Sequence, residues 1–212
     1  MGACAFDLAH YRELLGAARD YTWASFDREP TAGDVFLRHD VDLSLEAALA
    51  MARIEQELGA RATYFLMTES RFYNLGSRAG RDALVELREL GHAVGLHAMH
   101  PNARLDERFD PVISWHNPDP EYMSEPIDGA VNVMQSPWFT PGHYRSDSNR
   151  NWREGCPHDE LASGALEWLQ LLVHPEIWVY EGTTMRETMD AMLEAKRDEW
   201  VEALIDDRID MT

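Results

Sequence analysis

The chain has 212 residues, of which 38 are Asp or Glu and 19 are Lys or Arg, so its net charge is −19 at pH 7. This length suits a single domain, and a hydrophobic content of 45% is enough for a real core. The acidity argues against nucleic acid and anionic membranes as partners, because both select patches of Lys and Arg. No apolar run is long enough to cross a bilayer. We therefore expect one domain over residues 1–212 with no membrane insertion.

The chain begins with a helical pattern. Apolar residues recur at helical spacing within the first thirty positions, at Leu8, Tyr11, Leu14, Leu15 and Ala18. Neither a basic n-region nor an apolar h-region is present, which predicts a cytoplasmic protein. The two cysteines, Cys4 and Cys156, lie far apart in the sequence and suggest neither a disulfide framework nor a thiolate metal site. We interpret them as incidental thiols in a reducing compartment.

The next segment has an alternating strand and helix pattern. Residues 35–41 are typical of a buried strand, and Ser44 is a good N-cap for a helix that ends at Gly59. Residues 62–68 are β-branched and aromatic, which indicates a second buried strand. A second helix follows, and HAVGLH at 92–97 forms a third strand. This order predicts parallel strands joined by helical crossovers.

The second half of the chain is less regular. Residues 99–160 are rich in Pro, Asn, Asp and Gly, which predicts long loops with short strands. A regular pattern returns at 166–175, LEWLQLLVHP, which ends as a buried strand. The last thirty residues predict an amphipathic helix whose methionines fill the core rather than contact a cofactor. We expect the N- and C-terminal helices to pack on a core that spans about residues 33–180.

Several of the predicted strands end in side chains that can do chemistry. Asp40 and Asp42 lie at the end of the first strand, His97 ends the third, and His174 follows the last. In parallel α/β folds, functional sites form at the carboxyl ends of the strands. The sequence therefore predicts one site that gathers these four residues.

The two aspartates suggest a cation. They are two residues apart, so on an extended strand both point to one side while His39 points to the other. Neighbouring carboxylates repel each other unless a cation lies between them or one is protonated. A divalent metal resolves this if one Asp binds it and the other takes a proton from bound water. The structural alternative is that Asp40 pairs with Arg38 and Asp42 helps to cap the next helix.

A histidine pair strengthens the metal interpretation. In GLHAMHP, residues 95–101, His97 and His100 are three apart and could share a metal if a turn begins there. Imidazole and carboxylate together suit a first-row divalent ion. Zinc is favoured, with cobalt, nickel, manganese and iron as alternatives.

These motifs resemble those of the polysaccharide deacetylases, the NodB-homology carbohydrate esterases. HDVD at 39–42 resembles the family's aspartate pair, GHAVGLH at 91–97 its Gly-His-x-x-Gly-x-His run, and LLVHP at 171–175 its late Leu-x-His element. The resemblance covers roughly residues 33–180. A subgroup of short deacetylase-like proteins is closer still, through RHDVD at 38–42, SWHNP at 114–118, SDSN at 146–149 and the His174-Pro175 pair.

The resemblance implies a fold and a ligand set. The fold is α/β, a distorted, incomplete (β/α) barrel of about seven strands. The implied ligands are Asp42, His97 and one further histidine. In the family that histidine follows the first by four residues, whereas His100 follows His97 by three. His116, in a Pro-bounded loop, is therefore the alternative third ligand.

The resemblance also implies catalytic roles. Asp40 is the general base, His174 is the general acid, and an arginine orients Asp40. The family's usual arginine–proline motif is missing from this sequence. Arg145 is our choice among three arginines of one segment, the others being Arg150 and Arg153.

The implied activity is metal-dependent hydrolysis of a carbon–nitrogen bond other than a peptide bond, with N-deacetylation of a small saccharide favoured. A non-sugar amide, ureide or cyclic imide is the alternative substrate. A degenerate, non-catalytic saccharide-binding protein is the alternative function, and the oligomeric state stays open, a homo-oligomer included. Five loop aromatic residues could stack on sugar rings or could simply pack: Trp115, Trp138, Phe139, Tyr144 and Trp152.

Overall fold

The computed structural model describes residues 4–123 and 127–209. Its helices are α1 (Leu8–Ala17), α2 (Leu45–Leu58), α3 (Arg78–Glu89), α4 (His158–Ala162), α5 (Pro175–Val179) and α6 (Met185–Asp206). Its strands are β1 (Thr22–Trp23), β2 (Asp34–Val41), β3 (Ala62–Leu66), β4 (Ala93–Ala98), β5 (Val112–Trp115), β6 (Val131–Asn132), β7 (Tyr144–Ser146) and β8 (Trp168–Val173). None of the helices in these ranges has the length and apolarity needed to cross a membrane.

The sheet is a half-barrel, which confirms the predicted fold class. Its strand order is β6-β5-β4-β3-β2-β8-β7, and every pairing along it is parallel. The seven strands curl through 214°. The short β1 adds to β2 outside this path. Because all strands run the same way, their carboxyl ends meet at one edge of the curled sheet.

Strand β2 lies at the centre of the sheet, and its side chains alternate between two environments. Val35 and Leu37 belong to the large core between sheet and helices. Phe36 belongs to a second, smaller core on the other face. By the same alternation, Arg38 and Asp40 follow Phe36 on the concave face of the half-barrel.

The lower part of the concave face is filled with apolar side chains. These are Ala24, Phe26, Phe36, Phe65, Val112, Val133 and Trp168. Gly95 on β4 is required there, because a Cβ at this position would lie 2.6 Å from the ring of Phe65. The aromatic packing closes this end of the half-barrel, so the polar residues of β2 lie above it.

A buried polar network lies on the convex face of β2. Glu55 of α2 accepts hydrogen bonds from Tyr11 at 2.5 Å and from Tyr64 at 2.8 Å, and its Oε1 lies 2.6 Å from His39 Nε2. Burial alone would raise the pKa of Glu55, but the nearby His39 outweighs it and the pKa is lowered. His39 therefore faces away from Asp40 and links β2 to the helices, as the strand alternation predicts.

The terminal regions differ in part from the expectation. Helix α1 ends at Ala17 and the chain then pairs with β2 as β1, so the first thirty residues are not uniformly helical. Within α6, Met192 is buried but Trp200 is 65% exposed. The last helix therefore packs through its first half, while its second half leaves apolar side chains exposed. A short helix, α5, also follows β8 where the sequence predicts only the end of a strand.

The two cysteines, which are distant in sequence, lie close together in the fold. Cys4 precedes α1, Cys156 precedes α4, and these two helices pack together. The sulfur atoms of the two cysteines and a ring nitrogen of His10 lie within 4.8 Å of one another. Burial and the hydrogen bond with Cys4 raise the pKa of the Cys156 thiol to about 12. A thiol with this pKa is a poor nucleophile.

Candidate functional site

Three donor atoms form a small triangle at the carboxyl edge of the sheet. Asp42 Oδ1 lies 3.2 Å from His97 Nε2 and 3.2 Å from His116 Nδ1. The two ring nitrogens are 3.3 Å apart. Asp42 follows β2, His97 lies on β4 and His116 follows β5, so three strand ends build the group.

His97 is oriented by a chain of hydrogen bonds. Its Nδ1 lies 2.6 Å from Ser114 Oγ, and the Ser114 hydroxyl donates to Asp40 Oδ1 at 3.2 Å. Since the Ser114 proton points to Asp40, Ser114 Oγ accepts the proton of His97 Nδ1. His97 Nε2 then has no proton, and its lone pair points into the triangle.

His116 reaches the triangle from the loop after β5. Its backbone N–H donates to Ala98 O at 2.9 Å, which holds the loop against β4. Its Nε2 lies 3.1 Å from the side-chain amide of Asn117, whose φ of 42° places it in the left-handed region that Asn tolerates. The nearby carboxylate of Asp42 raises the pKa of His116. The turn after the strand thus directs the Nδ1 edge of the ring inward.

His100 lies outside this group, contrary to its selection as a ligand candidate. Its Nε2 pairs with Glu69 Oε2 at 2.9 Å, and 45% of its side chain is exposed. Strand β4 ends at Ala98, and the turn that follows carries His100 away from the strand ends. Of the two histidines left open by the sequence, the structure brings His116 to Asp42 and His97.

Asp40 lies beside the triangle, and both of its carboxylate oxygens accept hydrogen bonds. Arg38 donates to both of them, from Nε to Oδ1 at 2.8 Å and from an NH2 nitrogen to Oδ2 at 2.6 Å. Both side chains are buried, and Asp40 Oδ2 is 3.7 Å from His97 Nε2. Burial would raise the pKa of Asp40, but the charge of Arg38 and its hydrogen bonds outweigh it, so the pKa lies below its usual value. Asp40 is therefore an ionised carboxylate held in one orientation.

Arg145 does not contact Asp40, so its selection as the orienting arginine is wrong. Arg145 pairs at 3.0 Å with Glu160, which lies in α4. Arg38 occupies that position instead. The sequence signal was available, because Arg38 and Asp40 are two residues apart on one strand and must share a face. The ion pair of Arg38 and Asp40, which the sequence analysis gives as the structural alternative to a metal site, therefore lies at the centre of the site.

Asp42 is ionised as well. Burial would raise its pKa, but the adjacent imidazoles of His116 and His97 outweigh it and hold the pKa well below the usual range. One of its oxygens, Oδ1, is buried without a well-formed hydrogen bond, although both imidazoles approach it. A carboxylate oxygen that faces two ring nitrogens in this way is suited to a cation.

His174 follows β8 and is held by a residue that the sequence did not single out for this role. Asp147 accepts from the His174 backbone N–H at 2.9 Å and from Trp178 Nε1 at 2.7 Å, and its Oδ1 lies 2.6 Å from His174 Nδ1. Burial lowers the pKa of His174, but the charge of Asp147 outweighs it and raises the pKa to about 10. Asp147 belongs to the SDSN segment, so the sequence shows this residue but does not show that it pairs with His174.

Glu176 is a second carboxyl group near His174 that sequence reasoning missed. It is buried, and its Oε2 has no hydrogen-bond partner. Burial raises its pKa to about 8, against the opposing charge of His174. Glu176 therefore carries a proton at neutral pH and adds a hydrogen-bond donor to the site.

A cavity of about 460 Å³ opens over these groups. Its polar lining consists of Asp42, Ser70, Arg71, His116, Asn117, Ser148, Asn149, His174 and Glu176. The rest of its lining includes the apolar side chains Leu43, Met67, Phe72, Met99, Ile177 and Met185. A volume of this size holds a small molecule.

The five loop aromatic residues do not line this cavity. Trp115 is buried against Tyr122, and Trp152 stacks on Phe6. Phe139 packs on Tyr144, with ring centroids 4.7 Å apart. Packing within the fold, rather than stacking on a sugar, therefore accounts for these aromatic residues. Phe72, which the sequence did not suggest, is the aromatic side chain of the cavity wall.

Comparison with known proteins adds no relative to this picture. No family model matches the chain, and neither the curated proteins nor the solved structures contain a match. The function therefore has to be argued from the site itself.

Proposed function

We propose that this protein is a metal-dependent hydrolase of amide carbon–nitrogen bonds other than peptide bonds, with N-deacetylation of a small amino sugar as the favoured reaction. The observation that carries the proposal is the triangle of Asp42, His97 and His116 next to an oriented carboxylate, Asp40. The resemblance of the aspartate and histidine motifs to polysaccharide deacetylases points to the same chemistry.

The triangle fits a divalent metal. Zinc binds His nitrogen and carboxylate oxygen at about 2.0–2.2 Å, which separates neighbouring ligand atoms by about 3.0 Å in octahedral and about 3.4 Å in tetrahedral geometry. The three separations of 3.2, 3.2 and 3.3 Å lie in this interval. Three protein ligands leave a position open for water or substrate, as catalytic zinc sites do. When bound, the metal supplies Lewis acidity, lowering the pKa of a coordinated water and polarising the acyl oxygen.

Asp40 is assigned as the general base. It is ionised at neutral pH and lies beside the triangle, and the two hydrogen bonds from Arg38 hold it in place. It takes the proton as water attacks the amide carbon. Arg38 is a positioning residue, because it acts through Asp40.

His174 is assigned as the general acid. It lines the same cavity as Asp42, and Asp147 keeps it protonated at neutral pH. As the carbon–nitrogen bond breaks, His174 gives its proton to the departing nitrogen, which leaves as a neutral amine. The products are a carboxylic acid and the amine.

A non-sugar amide is a second candidate substrate, and one observation favours it. Apolar side chains form much of the cavity wall, and the aromatic residues expected to stack on a sugar pack elsewhere. A compact amide, ureide or cyclic imide matches such a wall, while the same residues carry out the hydrolysis. The choice concerns only the substrate, because one barrel frame serves many substrates.

An assay of product release separates these possibilities. Metal-free protein is reloaded with zinc, cobalt, nickel, manganese or iron and incubated with N-acetyl monosaccharides, simple N-acyl amines, ureides and cyclic imides. We expect metal-dependent release of amine or ring-opened product from one class, abolished in Asp40→Asn. Turnover of no substrate class, with a metal nevertheless bound by the triangle, would favour a non-catalytic binding protein.

A further inference from the structure

A second group of metal-ligating side chains lies away from the strand ends. Cys4 and His10 flank the start of α1, and Cys156 precedes α4. Their ligand atoms lie within 4.8 Å of one another, and all three residues are half-buried. His10 and Cys156 are 146 residues apart in sequence, so the fold rather than a local motif brings them together.

We propose that Cys4, His10 and Cys156 form a zinc site that fastens the segment before α1 to the start of α4. This site is separate from the Asp42 triangle, shares no residue with it and does not depend on the proposed hydrolase activity. Water would complete the tetrahedral coordination.

The distance between the ligand atoms of His10 and Cys156 fits a zinc ion. Bond lengths of about 2.3 Å to sulfur and about 2.0–2.1 Å to nitrogen place tetrahedral S and N ligands about 3.6 Å apart. His10 Nε2 and Cys156 Sγ are 3.4 Å apart. The pair is therefore close to a coordinating arrangement with little movement of either side chain.

The far side of His10 also matches a metal ligand. Its Nδ1 lies 3.1 Å from Glu13 Oε2, one turn along α1. Metal-binding histidines commonly donate their second ring N–H to a carboxylate, which fixes the tautomer that presents the other nitrogen. Glu13 thus directs the lone pair of Nε2 to the two thiols.

The ligand chemistry distinguishes this site from the triangle. Two thiolates and one imidazole select zinc and other soft or borderline ions, whereas the triangle offers only nitrogen and oxygen. Thiolate ligands also give cobalt a near-ultraviolet charge-transfer absorption that nitrogen and oxygen ligands do not give. The charge-transfer band, rather than cobalt binding as such, therefore reports on this site alone.

The position of the site suggests what it stabilises. Phe6, between Cys4 and His10, packs on Trp178 with ring centroids 5.3 Å apart, and Trp178 donates to Asp147 at 2.7 Å. Fastening the N-terminal segment would hold Phe6 against this tryptophan. Because only the folded chain assembles the three ligands, metal binding adds to the folding stability.

The test is cobalt titration of metal-free, fully reduced protein, followed in the near ultraviolet. We expect a thiolate charge-transfer band in the wild type and in Asp42→Asn, and its displacement by zinc. Cys4→Ser, Cys156→Ser and His10→Asn should weaken or abolish it. The control is His158→Asn, which changes the ring next to His10, with centroids 5.8 Å apart, and leaves the three ligands intact. Zinc should raise Tm in Asp42→Asn, and raise it less in the double variant Asp42→Asn/Cys156→Ser, in which both sites are impaired.

Two results would overturn the proposal. One is the absence of the band in wild-type protein whose thiols are shown to be free by alkylation. The other is a band of full strength in both cysteine variants. Loss of the proposed hydrolase activity in Asp42→Asn, with the band intact, would leave this site supported and bear only on the triangle.

Discussion

Arg38 holds Asp40 with two hydrogen bonds, at 2.8 and 2.6 Å, from two residues earlier on the same buried strand. The ion pair lies above the apolar packing of the half-barrel and beside His97. It explains how a carboxylate remains ionised in a buried position. It also makes Arg38 as necessary to the site as the groups that would contact substrate.

Arg38→Gln should therefore abolish most of the turnover and lower the stability. Removing one partner of a buried ion pair costs about 3–5 kcal/mol, because the other charge is left uncompensated. The pKa of Asp40 should rise, since burial opposes its ionisation. Thermal denaturation and kcat measure the two effects. Arg145→Gln is the matched control, and an equal loss of activity in that variant would return the orienting role to Arg145.

Variants of Asp40 and of Asp42 should differ in the amount of metal that they bind. Asp40→Asn should keep the metal and lose about 10²- to 10⁴-fold in kcat, the usual contribution of a general base. Asp42→Asn should lose the metal and with it the activity. Elemental analysis of both variants beside the wild type, each carrying Cys156→Ser to limit binding at the cysteines, checks this. Loss of the metal from Asp40→Asn would show that Asp40 is a ligand.

The two candidate third ligands should behave differently. His116→Ala should weaken zinc affinity, because Nδ1 of His116 lies 3.2 Å from Asp42. His100→Ala should leave affinity unchanged, because His100 pairs with Glu69 near the surface. Competition with a chromogenic chelator measures both. The assignment fails if His100→Ala is the variant that loses zinc.

The pH dependence should report on Asp147 through His174. A general acid must be protonated, so the rate falls as pH rises through its pKa. In the wild type this limb should lie above the ordinary value for His, because the charge of Asp147 raises the pKa of His174. Asp147→Asn removes the main cause of the rise and should move the limb toward the ordinary value of about 6.5. Asp159→Asn, at the exposed partner of His158, is the control. Identical profiles in both variants would argue against the role of His174.

Glu176 should make the metal-free protein less stable at high pH. Its pKa is raised to about 8 in the folded state, above the value of 4.5 for an ordinary Glu. The folded state thus binds the proton more tightly, and this contribution to stability is lost as pH rises from 4.5 to about 8. Glu176→Gln stays neutral, so its stability should exceed that of the wild type above pH 8.

Denaturant unfolding at pH 5 and pH 9, in the presence of a chelator, measures this difference. One pKa unit corresponds to about 1.4 kcal/mol, so the gain at pH 9 should amount to a few kcal/mol. Glu181→Gln, at an exposed position, serves as the control. A variant equally stable relative to wild type at both pH values would contradict the buried, protonated carboxyl.

The fold was predictable because its signals are local. Strand β2, Ser44 and Gly59 follow from hydrophobic runs and cap residues, and the order of strands and helices implies a parallel sheet. The alternation of β2 places His39 opposite Asp40 without any tertiary information. The same alternation makes Arg38 a neighbour of Asp40, whereas the sequence analysis selects Arg145, which lies on the distant strand β7.

The missed features depend on contacts that sequence spacing does not encode. Choosing His116 over His100 requires the path of the turn after β4. Asp147 meets His174 only because β7 pairs with β8. The contact of Cys4 with Cys156 requires α1 to pack on α4. Each of these contacts joins segments that are distant in sequence and that only the topology of the fold brings together.

The most direct test of the central claim is anomalous scattering at the zinc absorption edge from crystals grown with zinc. We expect a peak within coordination distance of Asp42 Oδ1, His97 Nε2 and His116 Nδ1. A structure without a peak at these three atoms, or with zinc held by His100 instead of His116, would contradict it.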